Sequence, residues 1–328
     1  MTATATRADE QPARPRPGGR KGMILLVIPS VPFLAFAFLR LFGVGGNRYI
    51  VAAIALTPYV AAVGLVLGVI GLLMRRWVFG GIVMGVALIT AAAVAPRMIS
   101  HSQPEAHGPK LAVMSANMYF GQADPIAIVT MVRDNNVDAL SLQELTPDAV
   151  DRLHRAGLNA LLPYQLFQPL SGGSGSGLAS KYPLTQEEIT PPAVMAQPAA
   201  VIDLPGLIDP DIQVVHALPG VIDAVIWKQE LDRLPPPAFK VRPRLLVGDF
   251  NGTLDHPGLR KLTDLGYVDA AERRGAGLTP TWPAGLWPPP VTIDHVFVDN
   301  RAAIDDYRVV DLPGSDHRAV LAWITLPN

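Results

Sequence analysis

The chain has 328 residues, a formal net charge of −1 and no cysteine. Without thiols there is no disulfide framework, no thiolate metal site and no cysteine nucleophile. A mean hydropathy of +0.28 with 49% hydrophobic residues is too apolar for a single water-soluble fold, and the excess lies between Met23 and Ala95. Charge divides at the same place: the first hundred residues hold ten Lys/Arg and two acids, leaving 17 basic and 26 acidic residues, a net −9, for the remainder. Affinity for nucleic acid comes mainly from Lys/Arg that neutralise phosphates, so this balance disfavours a long nucleic acid as partner.

Residues 1–22, rich in Ala, Pro, Arg and Gly, read as a disordered basic tail. Three apolar stretches follow, at about 23–42, 50–74 and 77–95, each near the ~20 residues that cross a bilayer core. Pro29, Pro32 and Pro58 interrupt them, as membrane helices tolerate. Little more than Arg75-Arg76 joins the second and third, which predicts a tight helical hairpin. A cleaved signal peptide is disfavoured, because no small-x-small cleavage site stands out after the first stretch. The Lys/Arg bias puts the N-terminus in the cytoplasm with Arg75-Arg76, and three spans then put everything after Arg97 outside. Arg40 and Arg48 run against that rule. The segment 97–109 reads as a polar tether.

The remainder, 110–328, is long enough to bury a full core. Strand-like apolar runs recur at 111–116, 139–142, 212–215, 245–247, 293–298, 307–310 and 319–324. Helices are expected at 125–133 and 147–156, where Asp124 and Thr146 are N-caps followed by proline, and at 222–234 and 257–265. Strand–helix alternation marks an α/β domain.

Polar residues of metal-ligand or acid–base type stand at the ends of these runs. Asn117 ends the first and Gln143-Glu144 the second. His216 follows the next, and Asp249 ends 245–247 with Asn251 two residues on. Asp316-His317 directly precedes the last. Each alone is ordinary: a turn asparagine, a solvent carboxylate, a satisfied histidine. Repetition over most strands is informative, because sites of α/β folds gather where loops meet the ends of a rigid sheet. The glycine–serine run 171–177 lacks the Gly-Lys-Ser/Thr ending of a P-loop and reads as a loop beside the site. His295 would face away from Asp294 in a regular strand. Trp282 and Trp287 are candidates for membrane-surface anchors, substrate contacts or local packing.

The ordered series Ser115-Ala116-Asn117-Met118, Gln143-Glu144, 176–180, His216, Gly248-Asp249-Phe250-Asn251, Ile293-Asp294-His295 and Ser315-Asp316-His317 resembles the endonuclease/exonuclease/phosphatase (DNase I-like) superfamily over nearly the whole soluble domain. The resemblance implies a four-layer α/β/β/α sandwich, two packed mixed sheets flanked by helices, here preceded by a three-helix transmembrane region. It implies that Asn117, Glu144 and Asp316 hold or support a divalent cation. Oxygen ligands without thiols favour Mg²⁺, with Mn²⁺ as the alternative, over zinc. It also implies catalytic roles for His216, Asp249, Asn251, Asp294 and His317: Asp294 orients His317, His216 meets the phosphate or leaving oxygen, and either Asp249 or His317 takes the water's proton. The sequence departs from the pattern at Ala217, where related chains carry Thr, and at Lys181 in place of Arg; both bear on substrate preference.

The arrangement is similar to a branch of bacterial membrane-bound members, some associated with teicoplanin-type resistance. That implies a partner in the lipid bilayer and a lipid-linked phosphate or pyrophosphate substrate on the extracytoplasmic face. The alternatives are an extracytoplasmic nuclease or nucleotide phosphatase, and a catalytically silent receptor or scaffold.

Overall fold

A computed structural model describes residues 18–43, 46–206, 208–238 and 242–327. The basic tail expected over 1–22 lies, as far as residue 17, outside them.

Four helices open the described chain: α1 (Gly18–Leu41), α2 (Arg48–Ala55), α3 (Thr57–Leu73) and α4 (Trp77–Val94). Two apolar helices, Gly22–Leu41 and Trp77–Met98, are long enough to cross a membrane, and the pair α2–α3 makes a third if counted as one bent span. The expected single helix over 50–74 is therefore a correction: it breaks at Leu56 with a 68° bend. Pro58 has no N–H to give to Ile54, four residues back. The Thr57 hydroxyl donates to that carbonyl instead, at 2.6 Å. Pro29 and Pro32 do not break α1, and the Ser30 hydroxyl returns a bond to Leu26 O at 2.8 Å.

Small residues let α3 approach its neighbours. A Cβ at Gly64 would meet the Phe33 ring of α1, and one at Gly71 would lie 2.8 Å from the Gly80 backbone of α4. Glycine at these contacts lets the helix backbones approach closely. Met74, at the α3–α4 turn, lies against Gly22. The start of α1 and the Arg75-Arg76 turn thus share one end of the bundle.

The other end carries the α/β domain. Arg40 in the last turn of α1 and Arg97 beyond α4 both bind Asp255, at 2.9 and 2.8 Å, with all three side chains buried. The segment 97–109 is bonded along the domain: His101 N donates to Arg273 O and Gly108 N to Leu326 O, and Gln103 Oε1 accepts from Ile304 N at 2.9 Å.

The domain runs β1 (Lys110–Asn117), α5 (Pro125–Asp134), β2 (Ala139–Gln143), α6 (Pro147–Arg155), α7 (Leu158–Leu161), β3 (Tyr164–Gln168), β4 (Ser176–Ser180), β5 (Leu184–Glu187), β6 (Ala199–Ile202), β7 (Asp211–His216), α8 (Ala224–Arg233), β8 (Arg244–Asp249), α9 (Pro257–Asp264), β9 (Tyr267–Asp269), α10 (Ala270–Arg273), β10 (Asp294–Asp299), β11 (Ala303–Asp311) and β12 (Arg318–Thr325). Two six-stranded mixed sheets form, ordered β11-β12-β1-β2-β4-β3 and β5-β6-β7-β8-β10-β9. In each, one central pair is parallel, β1 with β2 and β7 with β8.

Side-chain alternation sends Leu111, Val113, Ile212, Val214, Leu245, Val247, Val296 and Val298 into the space between the sheets. The opposite faces bury Met114, Leu140 and Leu142 under α5, α6 and α7, and Leu246 and Phe297 under α8 and α9. This is the four-layer sandwich expected from the sequence. At roughly 25 cal/mol per Å² of apolar area, these three layers of contact hold the frame on which the strand ends stand.

Candidate active site

Alternation also aims the polar strand ends. Residues 111, 113, 115 and 117 share a face, as do 245, 247 and 249, and 294, 296 and 298. Asn117, Asp249 and Asp294 therefore continue the inward-facing apolar rows at one edge of the sandwich, where the core gives way to a cleft. Asp249 and Asp294 are direct cross-strand partners, and His216 lies beside Asp249. A bond from Asn117 Nδ2 to Asp249 Oδ2, 3.1 Å, joins the two sheets here.

The remaining groups are placed by turns. Glu144, one residue beyond β2, has φ +54°. That left-handed turn brings Oε1 to Asn117 Nδ2 at 3.3 Å and Oε2 to Phe120 N at 2.7 Å. Tyr119, Phe120 and Asn251 also have positive φ, so strained backbone gathers at this edge, as it does where loops must hold functional groups. Asn251 N donates to Asp249 Oδ1 at 2.8 Å, and its amide holds Ala217 O at 2.9 Å. Ser315 Oγ donates to Asn117 O and accepts from His317 N, which fixes the last turn against β1.

His317 is surrounded by carboxylates. Its Nδ1 donates to Asp294 Oδ2 at 3.0 Å, while Nε2 lies 3.8 Å from Asp249 Oδ2 and 4.0 Å from Asp316 Oδ1. Burial alone would lower its basicity. The Asp294 charge and hydrogen bond, with Asp249 and Asp316, outweigh that and raise the imidazole to about 10. Asp249 moves the other way from an ordinary carboxylate. Burial first, and then the Asp294 charge, push it up to about 7 against the opposing effects of His317, Asn251 and Asn117. Burial and the neighbouring His317 charge hold His216 down at about 4, and its buried Nδ1 has no protein partner.

All eight residues singled out in the sequence meet in this one constellation. Glu144, Asp249, Asn251, Asp316 and His317 line a cleft of about 470 Å³, within the range of small-molecule sites. Asn117, His216 and Asp294 are buried just behind its wall.

Two carboxylate-rich sets are candidates for a divalent cation. Asp249, Asp294 and His317 offer ligand atoms within 4.8 Å of one another, but the His317–Asp294 bond already occupies one atom of each. Glu144 faces the cleft, with burial raising its carboxyl. Asp316 Oδ1 is a buried oxygen without a hydrogen-bond partner, and Asn117 Oδ1 accepts only from Tyr119 N. These three fit a hard, oxygen-seeking ion.

Residues 114–317 match the model of the endonuclease/exonuclease/phosphatase family. The chain belongs to that family. Members hydrolyse phosphoester bonds and are typically dependent on divalent metals. Among solved structures, the fold is similar to an endonuclease/exonuclease/phosphatase from Beutenbergia cavernae (20% identity, TM-score 0.53, 67% of this chain and 72% of that one). It is also similar to an AP endonuclease from Archaeoglobus fulgidus (16%, 0.53, 65% and 98%) and to a humanized D. rerio TDP2 (16%, 0.51, 66% and 98%). A sequence search among curated proteins finds no match.

Three further residues support this site. Thr281 Oγ1 accepts from both Ile293 N and Asp294 N. Trp282, which lines the cleft, donates from Nε1 to Asp316 Oδ2 at 3.0 Å and so orients the carboxylate beside His317. His256 is buried, its Nε2 2.9 Å from Val51 O of α2. Its only signal was adjacency to Asp255. His295 faces away from the site as alternation required, between Asp269 Oδ2 and Gly252 O. Lys181, which replaces the arginine of the pattern, lies near Asp138 at 3.7 Å.

Proposed function

We propose that this chain is a membrane-anchored, divalent-metal-dependent phosphoesterase whose substrate is a lipid-linked phosphate, phosphodiester or pyrophosphate on the extracytoplasmic side. One observation carries the reading. The cleft that holds Glu144, Asp249 and His317 is completed by Val51, Ala52, Ala55 and Leu56 of the apolar N-terminal region. Phosphate chemistry and a membrane-derived wall thus belong to one site. The net −9 charge after residue 100 supports a small or lipid-borne phosphate over long nucleic acid.

Glu144, Asn117 and Asp316 would hold the metal, Mg²⁺ or Mn²⁺. When bound, it supplies charge neutralisation at a phosphate oxygen. The two nitrogens of His317 face three carboxylates, which favours the imidazolium near neutral pH. It presents positive charge toward the phosphoryl group, with Asp294 fixing its orientation. Asp249, with an oxygen 3.8 Å from that ring and a pKa near the working range, takes the proton of the attacking water. Asn251, which lines the cleft beside Asp249, meets the phosphoryl group, and the neutral His216 backs Asp249 from behind the wall.

The extracytoplasmic side is supported by the bundle's asymmetry. The Arg75-Arg76 turn and the start of α1 share one end, and the domain occupies the other. Arg40 and Arg48 run against the charge rule; Arg40 meets Asp255 of the domain at 2.9 Å.

The test gives the full chain in nanodiscs, with Mg²⁺, with Mn²⁺ and with chelator, four substrates: plasmid DNA, nucleotides, phospholipids and polyprenyl phosphates. Metal-dependent phosphate release from the lipids, abolished in Asp249→Ala and His317→Ala, is expected. Strong DNA cleavage without lipid turnover would refute it, and reporter fusions after Pro109 that report a cytoplasmic domain would refute the orientation.

A further inference from the structure

The helix α2 belongs by sequence to the apolar N-terminal region and by packing to the catalytic domain. Asn47 caps it, accepting from Tyr49 N and Ile50 N at 3.0 Å each. Val51 enters the core cluster of Trp227 and Phe250, and its carbonyl bonds His256. Gly220 is pressed between Val51 and Trp227, where a Cβ would lie 2.9 Å from either. Tyr59, just past the bend, donates to Pro290 O at 2.8 Å. The helix is therefore fixed to the domain on one side.

Its other side faces the cleft. Val51 and Ile54 are buried, while Ala52 is exposed and Ala55 half-buried. These two alanines, three positions apart, share a face and line the same cavity as His317. From Ile50 to Leu56 there is no polar side chain, so this wall rewards a ligand only for burying hydrocarbon. The rest of the cleft's lining continues the theme: Phe120, Val221 and Ile222 are 51%, 51% and 66% exposed. Single exposed apolar residues are ordinary; several around the mouth of one cleft mark an interaction surface. At Leu56 the wall turns through 68° into α3, whose outward side chains Val63, Val66, Val69 and Ile70 are exposed.

We propose that the Ala52–Ala55 face of α2 is a subsite for the aliphatic chain of the substrate, with the chain leaving along the α2–α3 bend and its phosphate at Asp249 and His317. This rests on the phosphoesterase reading above and adds where the lipid is recognised. A polar head of sugar or peptide would find no hydrogen-bonding side chain on this wall. A hydrocarbon finds an apolar path from the catalytic end to the outer face of the bundle. The short side chains at 52 and 55 set the width of the channel, which makes them specificity-determining positions.

The test uses n-alkylphosphonates of two to eight carbons, titrated calorimetrically into the full chain in nanodiscs, with empty nanodiscs subtracted. Burial of each methylene predicts roughly fourfold tighter binding per carbon until the chain leaves the cleft. Ala52→Glu should flatten that dependence toward zero, and Ala52→Leu, which narrows the channel, should end the gain at a shorter chain. Ala52 is exposed, so neither change burdens the core. A wild-type slope no steeper than partition into empty nanodiscs, or an Ala52→Glu slope equal to wild type, would overturn the subsite. The phosphoesterase reading fails by a different result: no metal-stimulated hydrolysis of bis(4-nitrophenyl) phosphate, whatever the slope.

Discussion

Replacing Asp255 by Asn should uncouple the catalytic domain from its helices. The carboxylate takes Arg40 Nε at 2.9 Å and Arg97 through two nitrogens at 2.8 and 3.1 Å. Arg40, Asp255 and Arg97 are all under 8% exposed. At an effective dielectric of about 20, each contact near 4 Å is worth roughly 4 kcal/mol before desolvation. Desolvation cancels much of this in the intact triad. It does not cancel when the anion is removed, because two buried guanidinium groups are then left unpaired, and breaking such a pair costs about 3–5 kcal/mol. At roughly 2–4 °C per kcal/mol for a domain of this size, the melting temperature should fall by at least about 6 °C. Hydrogen exchange should accelerate first in α2, next to the His256–Val51 bond. The compensated variant Asp255→Leu/Arg40→Met/Arg97→Met should recover most of the loss, since well-packed apolar replacements of buried ion groups are often neutral. An Asp255→Asn protein melting within 2 °C of wild type, with unchanged exchange in α2, would refute the assignment of this triad as the joint.

Three further outcomes follow from the site and the bundle. Glu144→Gln should weaken Mn²⁺ binding, followed by electron paramagnetic resonance, at least tenfold, while Asp294→Asn changes it less than threefold; the reverse order would move the metal to Asp249, Asp294 and His317. Asp294→Asn should act on pH dependence instead. The His317 imidazole is raised from 6.5 to about 10, so its contribution to stability is complete below about 6.5 and is lost as pH rises through 10. Without the Asp294 charge, the alkaline limb of kcat/KM should move down toward neutrality and the rate at pH 8 should fall about 10- to 30-fold as the imidazolium fraction falls; an unmoved limb would contradict the His317 role. In the bundle, Gly71→Leu should cost about 1–3 kcal/mol by overpacking against Gly80, whereas Gly81→Leu, which meets nothing within 4 Å, should melt like wild type in detergent.

The site was legible because alternation is a local rule. A row of inward valines and leucines that ends in Asn117, His216, Asp249 or Asp294 must aim that polar group at the same inter-sheet space, and these four rows converge. The strands without this contrast were missed. β3 and β5 lie at sheet edges with partly exposed side chains, β6 is four residues between proline-rich loops, and β9 is three. Where the helices meet the domain was illegible for another reason: Arg40 meets Asp255 across 215 positions and Val51 meets His256 across 205, and nothing local marks either pair. One sequence feature did carry the information, as a contradiction. Arg40 sat at the wrong end of its span for the charge rule. A cation there has a physical cost unless a carboxylate meets it, and the carboxylate lies six residues after Asp249, in the loop that leaves the active site. Arg40, one of two cations against that rule, thus marks a contact that docks the helices on the domain.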